Sequence, residues 1–313
     1  MQIVNSAKEL RQTLDRLRLS AKKIGFVPTM GFLHEGHLSL VERCKKENDV
    51  VVVSIFVNPT QFNVSSDLEN YPKDLDNDCE ILERSGTDYL FLPSVSEMYN
   101  IDSSGKTVTD IKISCDEVNS VFEGAFRSGH FDGVALVVTK LFNIVGECRT
   151  YFGLKDYQQV YLISKLIQEL FLPIEMVKCP TVRQESGLAL SSRNARLTDK
   201  ELVLANEIYF AMKEGKRMIE SGITETKKVI ELIKNHILKT EGIKLEYVSI
   251  VKEDTLVVPE LLTDKVRILI AGWLGNVRLI DNLEVNCNSE LKDELFEHHL
   301  SDSSIISERK IKV

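Results

Sequence analysis

Residues 24–57 read IGFVPTMGFLHEGHLSLVERCKKENDVVVVSIFV, which is a strand, a glycine-containing loop, a helix and a second strand in that order. The apolar residues at 24–27 and the nearly unbroken β-branched run at 50–57 are typical of parallel strands buried on both faces. Residues 38–46 have helical periodicity. Two strands joined by a helix form the basic unit of a parallel sheet, so the loop after the first strand falls where such sheets bind ligands.

The alternation of strand and helix signals continues to about residue 180. A helical pattern separates successive short strands. This order predicts an α/β fold with a doubly wound parallel sheet and ligands at the carboxyl ends of its strands. The further strands are predicted at 89–92, 150–152 and 173–177, and the further helices at 74–84, 134–145 and 157–170.

The pattern changes after the polar loop at 184–196. Thr198 is a predicted helix N-cap, and Glu201 completes its capping box. Two long helical segments precede three strands, and the last two strands flank a turn at Gly275. The helical segments run to about Ser221 and over 224–238, and the strands cover 245–251, 266–273 and 277–280.

The chain therefore divides into three predicted parts. A large domain covers 1–180, a smaller α+β domain covers 181–285, and a polar C-terminal extension covers 286–313. The extension contains a weakly amphipathic stretch at 291–299. We expect His298 and His299 at its end to be solvated rather than to bind a metal.

Composition excludes several classes of protein. The 313 residues are 43% hydrophobic and 27% charged, which is typical of a globular protein. The net charge of −8 argues against a general nucleic-acid-binding protein. No apolar run spans a bilayer, and the start lacks a secretory signal, which predicts a cytoplasmic protein without membrane contact. The six scattered cysteines form no C-x-x-C pair and predict reduced thiols.

Residues 28–37, PTMGFLHEGH, form the sharpest local motif. Gly31 and Gly36 allow a ligand to approach the backbone, and the helix start behind them is an anion site. His34 and His37 can add hydrogen bonds to phosphate, and positive charge when protonated. Two alternatives remain. The histidines could form half of a zinc site, although no third ligand is evident, or they could be ordinary residues at a helix start.

Two further polar segments follow strands. Asn58 and Gln61 lie where the buried strand at 50–57 ends, although a plain Asn-Pro turn is the simpler interpretation of this segment taken alone. Lys155 can supply a charge to phosphate, Asp156 can accept from ribose hydroxyls, and Gln159 falls on the first turn of the next helix. A solvated helix start explains the second segment as well.

A fourth segment lies in the polar loop between the two predicted domains. Ser191, Ser192 and Arg193 combine two hydroxyls with a guanidinium, a set that suits a closing phosphate clamp. The alternative is a polar interdomain linker.

Together these segments resemble the pantothenate synthetase (pantoate–β-alanine ligase) family in order and spacing. The resemblance runs from about Lys22 to Asn282, and it includes further matches at 122–124, 130–134 and 278–282. Two positions depart from the family pattern. Leu154 stands where Glu is usual, and Ser128 stands where Pro is common.

The resemblance implies a Rossmann-like sheet of the nucleotidyltransferase type and an ATP-dependent condensation of pantoate with β-alanine. The implied reaction forms pantoyl adenylate and pyrophosphate, then pantothenate and AMP. The substrates would be ATP with its Mg²⁺, pantoate and β-alanine, and the enzyme would be a homodimer. No metal site built by the protein is expected.

The resemblance also implies the roles of individual residues. His37 would be the catalytic histidine, and Gln61 and Gln159 would hold pantoate. The chemistry of the residues adds His34, Lys155 and Arg193 as catalytic donors or charges, and Asn58 as a further substrate-binding residue. The residues expected to bind ATP are Met30, Gly31, His34, Gly36, His37, Gly153, Lys155, Asp156, Val182, Leu190, Ser191, Ser192 and Arg193.

Several alternatives stay open at this point. The chain could be a cytidylyl- or adenylyltransferase acting on a phosphorylated acceptor, a fragment of a class I aminoacyl-tRNA synthetase, or an ATP-binding protein without catalysis. His130 could contact substrate or anchor its loop. Asp74, Asp76 and Asp78 could reach magnesium, but a solvated helix face is the simpler expectation.

Overall fold

A computed structural model describes residues 1–63 and 65–287, and its larger part is built on a six-stranded parallel sheet. The strand order is β1-β4-β3-β2-β7-β8, and every neighbouring pair is parallel. The strands of this sheet are β1 (Gln2–Val4), β2 (Ile24–Thr29), β3 (Val50–Ile55), β4 (Tyr89–Phe91), β7 (Cys148–Gly153) and β8 (Ile174–Cys179). A two-stranded hairpin contributes β5 (Asn100–Ile101) and β6 (Thr107–Val108).

The order places the switch point of the sheet between β2 and β7. From β2 the chain moves outward through β3 and β4, and from β7 it moves the other way to β8. Such a switch point opens a crevice at the carboxyl ends of its two strands. The loops after Thr29 and Gly153, which contain the first and third sequence motifs, both begin there.

Helices cover both faces of this sheet. The helices of the larger part are α1 (Ala7–Leu19), α2 (Glu35–Glu47), α3 (Ser65–Glu69), α4 (Leu75–Ser85), α5 (Val95–Met98), α6 (Asp116–Asn119), α7 (Phe122–Phe126), α8 (His130–Val145) and α9 (Tyr157–Glu169).

Strand β3 shows why two layers of helices are needed. All six of its residues are buried. Val50 and Val52 join the core formed with α1, α8 and α9, whereas Val51 and Val53 join the opposite core under α2 and α4. Successive side chains of a strand point to opposite faces, so each face needs its own apolar cover. The predicted doubly wound α/β sheet is confirmed.

The smaller α+β unit has a separate core. Strand β10 (Lys265–Leu274) lies between β9 (Ile243–Lys252) and β11 (Val277–Asn286) in an antiparallel sheet, and α10 (Asp199–Glu220) and α11 (Thr226–Lys239) pack on it. The capping box that the sequence predicts at the start of α10 is present.

Strand β11 is longer than the predicted 277–280. The polar residues Asp281 and Asn282 interrupt its apolar pattern, but both are buried because arginines from elsewhere in the chain bind them. Helix α8 also begins earlier than predicted, at His130. Gly133 weakens the helical signal there, yet a side chain at this position would collide with the backbone of Thr60.

The predicted amphipathic stretch at 291–299, with His298 and His299, lies outside the described residues.

All six cysteines are unpaired, and three of them are buried. Among the helices that the structure describes, none combines the length and apolar character that crossing a bilayer requires.

Candidate active site

A cavity of about 220 Å³ opens at the sheet's switch point, between the loops that follow β2 and β7. Every residue that the sequence motifs single out for ATP or pantoate, except Gly31, lies on its wall. The cavity brings together Met30, His34, Gly36, His37, Asn58, Gln61, Gly153, Lys155, Asp156, Gln159, Val182, Leu190, Ser191, Ser192 and Arg193.

Gly31 shapes the first loop from behind. Its φ of +83° favours glycine, and an added Cβ would lie 3.0 Å from the Asp78 carboxylate. That carboxylate accepts the backbone N–H groups of Phe32 at 2.8 Å and Leu33 at 2.7 Å.

The sequence prediction of a solvated acidic face is therefore wrong for Asp78, which is buried, whereas Asp74 and Asp76 are exposed. Burial raises the pKa of Asp78. Periodicity could not reveal this role, because the two backbone N–H groups that Asp78 binds lie about forty-five positions earlier in the chain.

The two histidines form a reciprocal cap at the start of α2. His34 Nδ1 accepts from the Gly36 backbone N–H at 3.1 Å, and His37 Nδ1 accepts from the His34 backbone N–H at 3.4 Å. Each neutral ring must then carry its proton on Nε2. A Cβ on Gly36 would lie 2.9 Å from the His34 ring, so glycine is required for this packing.

Burial holds both imidazoles neutral. Burial, together with the charge of Lys155 near His34 and with His34 beside His37, lowers the pKa of His34 to about 4 and the pKa of His37 to about 3. At neutral pH the pair supplies hydrogen-bond donors to the cavity, without the positive charge that protonation would add.

Asn58 and Gln61 form one hydrogen-bonded unit. Asn58 is 1% exposed, and its amide donates to Gln61 Oε1 at 3.0 Å and to the Gly133 carbonyl at 3.1 Å. Its oxygen accepts from Tyr99 Oη at 2.8 Å and from Thr60. The protein thus uses both ends of the Asn58 amide, and Asn58 orients Gln61 in the wall of the cavity.

The segment after β7 approaches from the opposite side. Lys155 Nζ lies 3.5 Å from Asp156 Oδ1, and the Lys155 side chain is 16% exposed. Gly153 has an ordinary φ of −77°, and an added Cβ would meet nothing within 4 Å. Glycine is therefore not needed there for the backbone, but its missing side chain leaves room at the cavity wall. Gln159 lies beyond it on α9.

The loop at 191–193 lies directly on the first motif. Ser192 is buried, and its hydroxyl donates to the Phe32 carbonyl at 3.2 Å. Arg193 Nη2 lies 3.2 Å from Asp67 Oδ2, and Arg196 pairs with the other oxygen of that carboxylate. Before this loop, the Leu190 N–H donates to the Val182 carbonyl at 3.0 Å.

A second group of contacts, which the motifs do not reveal, ties the smaller unit to the cavity. Asn282 donates its amide to the carbonyls of Leu154 and Lys155, both at 2.8 Å. Arg183 holds the neighbouring Asp281 through two hydrogen bonds of 2.6 and 2.9 Å. The available signal was the polar pair in an otherwise apolar strand. Leu154 contributes a carbonyl here, so the departure from Glu leaves this contact intact.

His130 anchors its loop in this structure. Its Nδ1 lies 2.9 Å from the Gln61 carbonyl, and its Nε2 lies 3.0 Å from Arg127 Nη1. Arg127 itself was missed by sequence reasoning, because an isolated arginine carries no motif. It lines the first cavity and also a neighbouring cavity of about 440 Å³ between the two units, where Lys155 and Arg193 meet it again.

Chemically, the site joins three kinds of group. Neutral histidine donors stand at a helix start, cationic Lys155 and Arg193 border them, and the Gln61 amide lies across the same space. Such a set can bind a polyphosphate and hold a small polar acid beside it. In the described ranges, no cluster of three or more His, Cys, Asp or Glu residues could hold a metal ion.

Comparisons with known proteins give a consistent result. Residues 2–284 match the family described as pantoate-beta-alanine ligase. The pantothenate synthetase of Thermotoga neapolitana is 45% identical over 90% of this chain and 99% of its own length. The Thermosipho africanus protein of the same name is 46% identical, with the same shares covered.

Solved structures agree. A pantothenate synthetase from Thermus thermophilus has a TM-score of 0.83 and 39% identity, covering 91% of this chain and all of that one. A pantoate-beta-alanine ligase from Francisella tularensis, complexed with beta-gamma ATP and beta-alanine, has a TM-score of 0.73 and 39% identity, covering 90% of this chain and 97% of that one. On its fold and on its sequence match over nearly its whole length, the chain belongs to the pantoate-beta-alanine ligase family.

Proposed function

We propose that this chain catalyses the ATP-dependent condensation of pantoate with β-alanine through a pantoyl-adenylate intermediate. One observation carries the proposal. At the sheet's switch point, a helix start with two neutral histidine donors faces Lys155 and Arg193 across a cavity that also contains Gln61 and Gln159. Phosphate-binding and acid-binding groups thus share one enclosed space.

In the first step, a carboxylate oxygen of pantoate attacks the α-phosphorus of ATP. An O–P bond forms, the bond to the bridging oxygen breaks, and pyrophosphate leaves. His34 and His37 donate hydrogen bonds to the phosphates, and Lys155 and Arg193 balance the charge on the leaving group. Magnesium enters with the ATP phosphates.

Neutral amides suit the acid that must react. Gln61 and Gln159 orient the hydroxyls and carboxylate of pantoate without an ion pair, which would make the carboxylate a weaker nucleophile. Asn58 acts on this pocket indirectly, by fixing the Gln61 oxygen.

In the second step, the uncharged amine of β-alanine attacks the acyl carbon of the adenylate. A C–N bond forms, the C–O bond to AMP breaks, and the nitrogen releases a proton. The loop at 191–193 covers the first motif through Ser192 and excludes water from the anhydride.

The paired amides also argue against transfer of a nucleotidyl group to a phosphorylated acceptor, since that reaction needs a further basic pocket. The test is pantoate-dependent exchange of labelled pyrophosphate into ATP without β-alanine. Exchange is expected only when pantoate is present, and its absence would exclude the proposed function.

Family resemblance supports three broader proposals. The boundary between the domains lies near residue 180, the enzyme acts in the cytoplasm, and it is a homodimer. Sedimentation equilibrium at micromolar concentration tests the last of these. A mass near that of the 35.5 kDa chain itself would contradict it.

A further inference from the structure

Arg127 lies at the junction of the cavities around the proposed reaction centre. It borders the 220 Å³ cavity, the 440 Å³ cavity and a smaller one that reaches Gln159. The guanidinium lies 3.0 Å from His130 Nε2. Because arginine can only donate, His130 Nε2 is the acceptor, and its Nδ1–H donates to the Gln61 carbonyl. Arg127 is therefore linked by one neutral ring to the pocket proposed for pantoate.

The three carboxylates whose charges act on Arg127, those of Glu123, Asp67 and Asp156, are already bound by other groups, and Asp156 pairs with Lys155 at 3.5 Å. Glu123 is held by Arg278 at 2.6 and 2.8 Å and by the Tyr247 hydroxyl at 2.9 Å. Asp67 is shared between Arg193 and Arg196, each at 3.2 Å. Within residues 1–63 and 65–287, Arg127 consequently forms no ion pair.

Arg127 nevertheless keeps its charge. Burial, followed by the charge of the nearby Arg193, lowers its pKa to about 10, so the group remains a cation at neutral pH. A partly buried guanidinium without a counter-ion is costly unless an anion joins it. Its partner is thus expected among the anions that enter the cavity.

Three such anions follow from the proposed function. The phosphates already face His34, His37, Lys155 and Arg193. The pantoate carboxylate must attack, and a bidentate arginine would weaken it as a nucleophile. The carboxylate of β-alanine does not react, so a strong ion pair can hold it at no cost to the chemistry.

We propose that Arg127 binds the carboxylate of β-alanine and so directs its amine toward the acyl group held at Gln61 and Gln159. The His130 ring separates Arg127 from the backbone carbonyl of Gln61. Two methylene groups separate the amine of β-alanine from its carboxylate, so a carboxylate bound at Arg127 leaves the amine free to extend toward this pocket. The inference rests on the proposed function and specifies how that site selects its second substrate.

The first test uses the unaltered enzyme. Pantoyl adenylate is formed in place, and its capture by β-alanine is compared with capture by 3-aminopropanamide, which has the same chain without the negative charge. With rates corrected for the fraction of free amine, we expect kcat/KM to be about 10- to 100-fold lower for the amide, the scale of a charged hydrogen-bonded pair.

The second test removes the arginine. Arg127→Gln should lower kcat/KM for β-alanine about 10- to 100-fold and leave the value for 3-aminopropanamide nearly unchanged, so that the preference for the acid disappears. Arg127→Lys should restore part of the preference, because it keeps the charge but not the planar fork. Arg196→Gln is the matched control, since Arg196 borders the same larger cavity but is already paired with Asp67, and it should keep the preference.

Pyrophosphate exchange separates the possible failures. If the unaltered enzyme shows no pantoate-dependent exchange, the proposed function fails and this inference fails with it. If exchange is normal but the unaltered enzyme uses the acid and the amide equally, only the inference is overturned. If folded Arg127→Gln and Arg127→Lys instead lose pyrophosphate exchange in proportion to their loss of β-alanine capture, the inference is overturned and Arg127 is assigned to phosphate binding.

Discussion

At the scale of single residues, His37 supports the sharpest prediction about chemistry. Its Nδ1 accepts from the backbone, so its Nε2–H is the donor that remains for a ligand. We expect His37→Ala to slow pyrophosphate exchange by at least ~10²-fold, the scale of one lost transition-state donor. His236→Ala is the control, because His236 lies on α11 between Glu207 and Glu214, away from the cavity. Normal exchange in a folded His37→Ala variant would contradict the assignment.

The histidine pair also predicts a pH dependence. Both rings act as neutral donors, and their lowered pKa values of about 4 and about 3 keep them neutral at pH 6–8. Exchange should therefore show no loss from these groups as the pH falls through 6.5, the ordinary histidine value, and it should decline only as the pH approaches about 4. Initial exchange rates across this range measure the effect. A decline centred near 6.5 that His34→Asn abolishes would show that the pair is not held neutral.

Gln61 and Gln159 carry a prediction about binding. Alanine at either position should raise the KM for pantoate more than the KM for ATP, because each change removes a hydrogen bond worth ~0.5–1.5 kcal/mol from a partly desolvated acid. Initial rates of exchange with each substrate varied in turn measure the two constants. Gln168→Ala, at the exposed end of α9, is the control. A larger rise for ATP than for pantoate would reverse the assignment of the pocket.

The chemical nature of the site could be predicted from residues near one another in sequence, but its supporting contacts could not. His34, Gln61 and Lys155 each lie in the segment that follows a strand, where local pattern places them. Asp78 acts through backbone groups about forty-five positions earlier, which no local pattern encodes. Arg127 contacts His130 only three positions later, but its place beside the cavities depends on the whole fold. Periodicity alone therefore predicts a solvated Asp78 and gives no indication of a role for Arg127.

At the scale of elements, the loop at 191–193 is the part that most directly guards the reaction. Ser192 joins it to the Phe32 carbonyl. Ser192→Gly removes this contact and gives the chain more freedom, so the loop should open more often. We expect more than one AMP per pantothenate, because pantoyl adenylate would be released or hydrolysed before β-alanine arrives.

The measurement is the ratio of AMP to pantothenate at limiting β-alanine. Ser221→Gly, at the end of α10 and far from the cavity, controls for a general loss of stability. A ratio of AMP to pantothenate that stays near one in Ser192→Gly would show that this loop does not protect pantoyl adenylate from release or hydrolysis. Arg193→Ala should instead slow the first step, because it removes charge from the phosphate side of the cavity.

Elements with a strong local signal were predicted well. Strand β3 has its β-branched run, and α10 has its capping box. Helix α1 had a usable signal in the spacing of its buried Leu10 and Leu14 but was not identified. The end of β11 had no strand periodicity, because Asp281 and Asn282 become strand residues only when Arg183 and Arg267 satisfy them.

At the scale of the whole molecule, a charged cluster joins the two units beside the site. Arg278 on β11 binds Glu123 on α7 and Glu246 on β9, and Tyr247 also donates to Glu123. The side chains of Glu123 and Arg278 are only 7% and 13% exposed. Water therefore screens this pair weakly, and its loss should cost much more than the loss of a surface pair.

We expect Glu123→Ala to lower the free energy of unfolding by about 3 kcal/mol, near the lower end for breaking a buried pair, because Glu246 still partners Arg278. Glu80→Ala is the control. Glu80 pairs with Arg84 on the surface of α4, where both side chains are more than half exposed, so its loss should cost less than about 1 kcal/mol. Urea unfolding followed by circular dichroism compares the two variants. The triple variant Glu123→Leu, Glu246→Leu and Arg278→Met should recover part of the loss, since it leaves no charge of this cluster without a partner. Equal effects of Glu123→Ala and Glu80→Ala would mean that packing, and not this cluster, holds the smaller unit over the site.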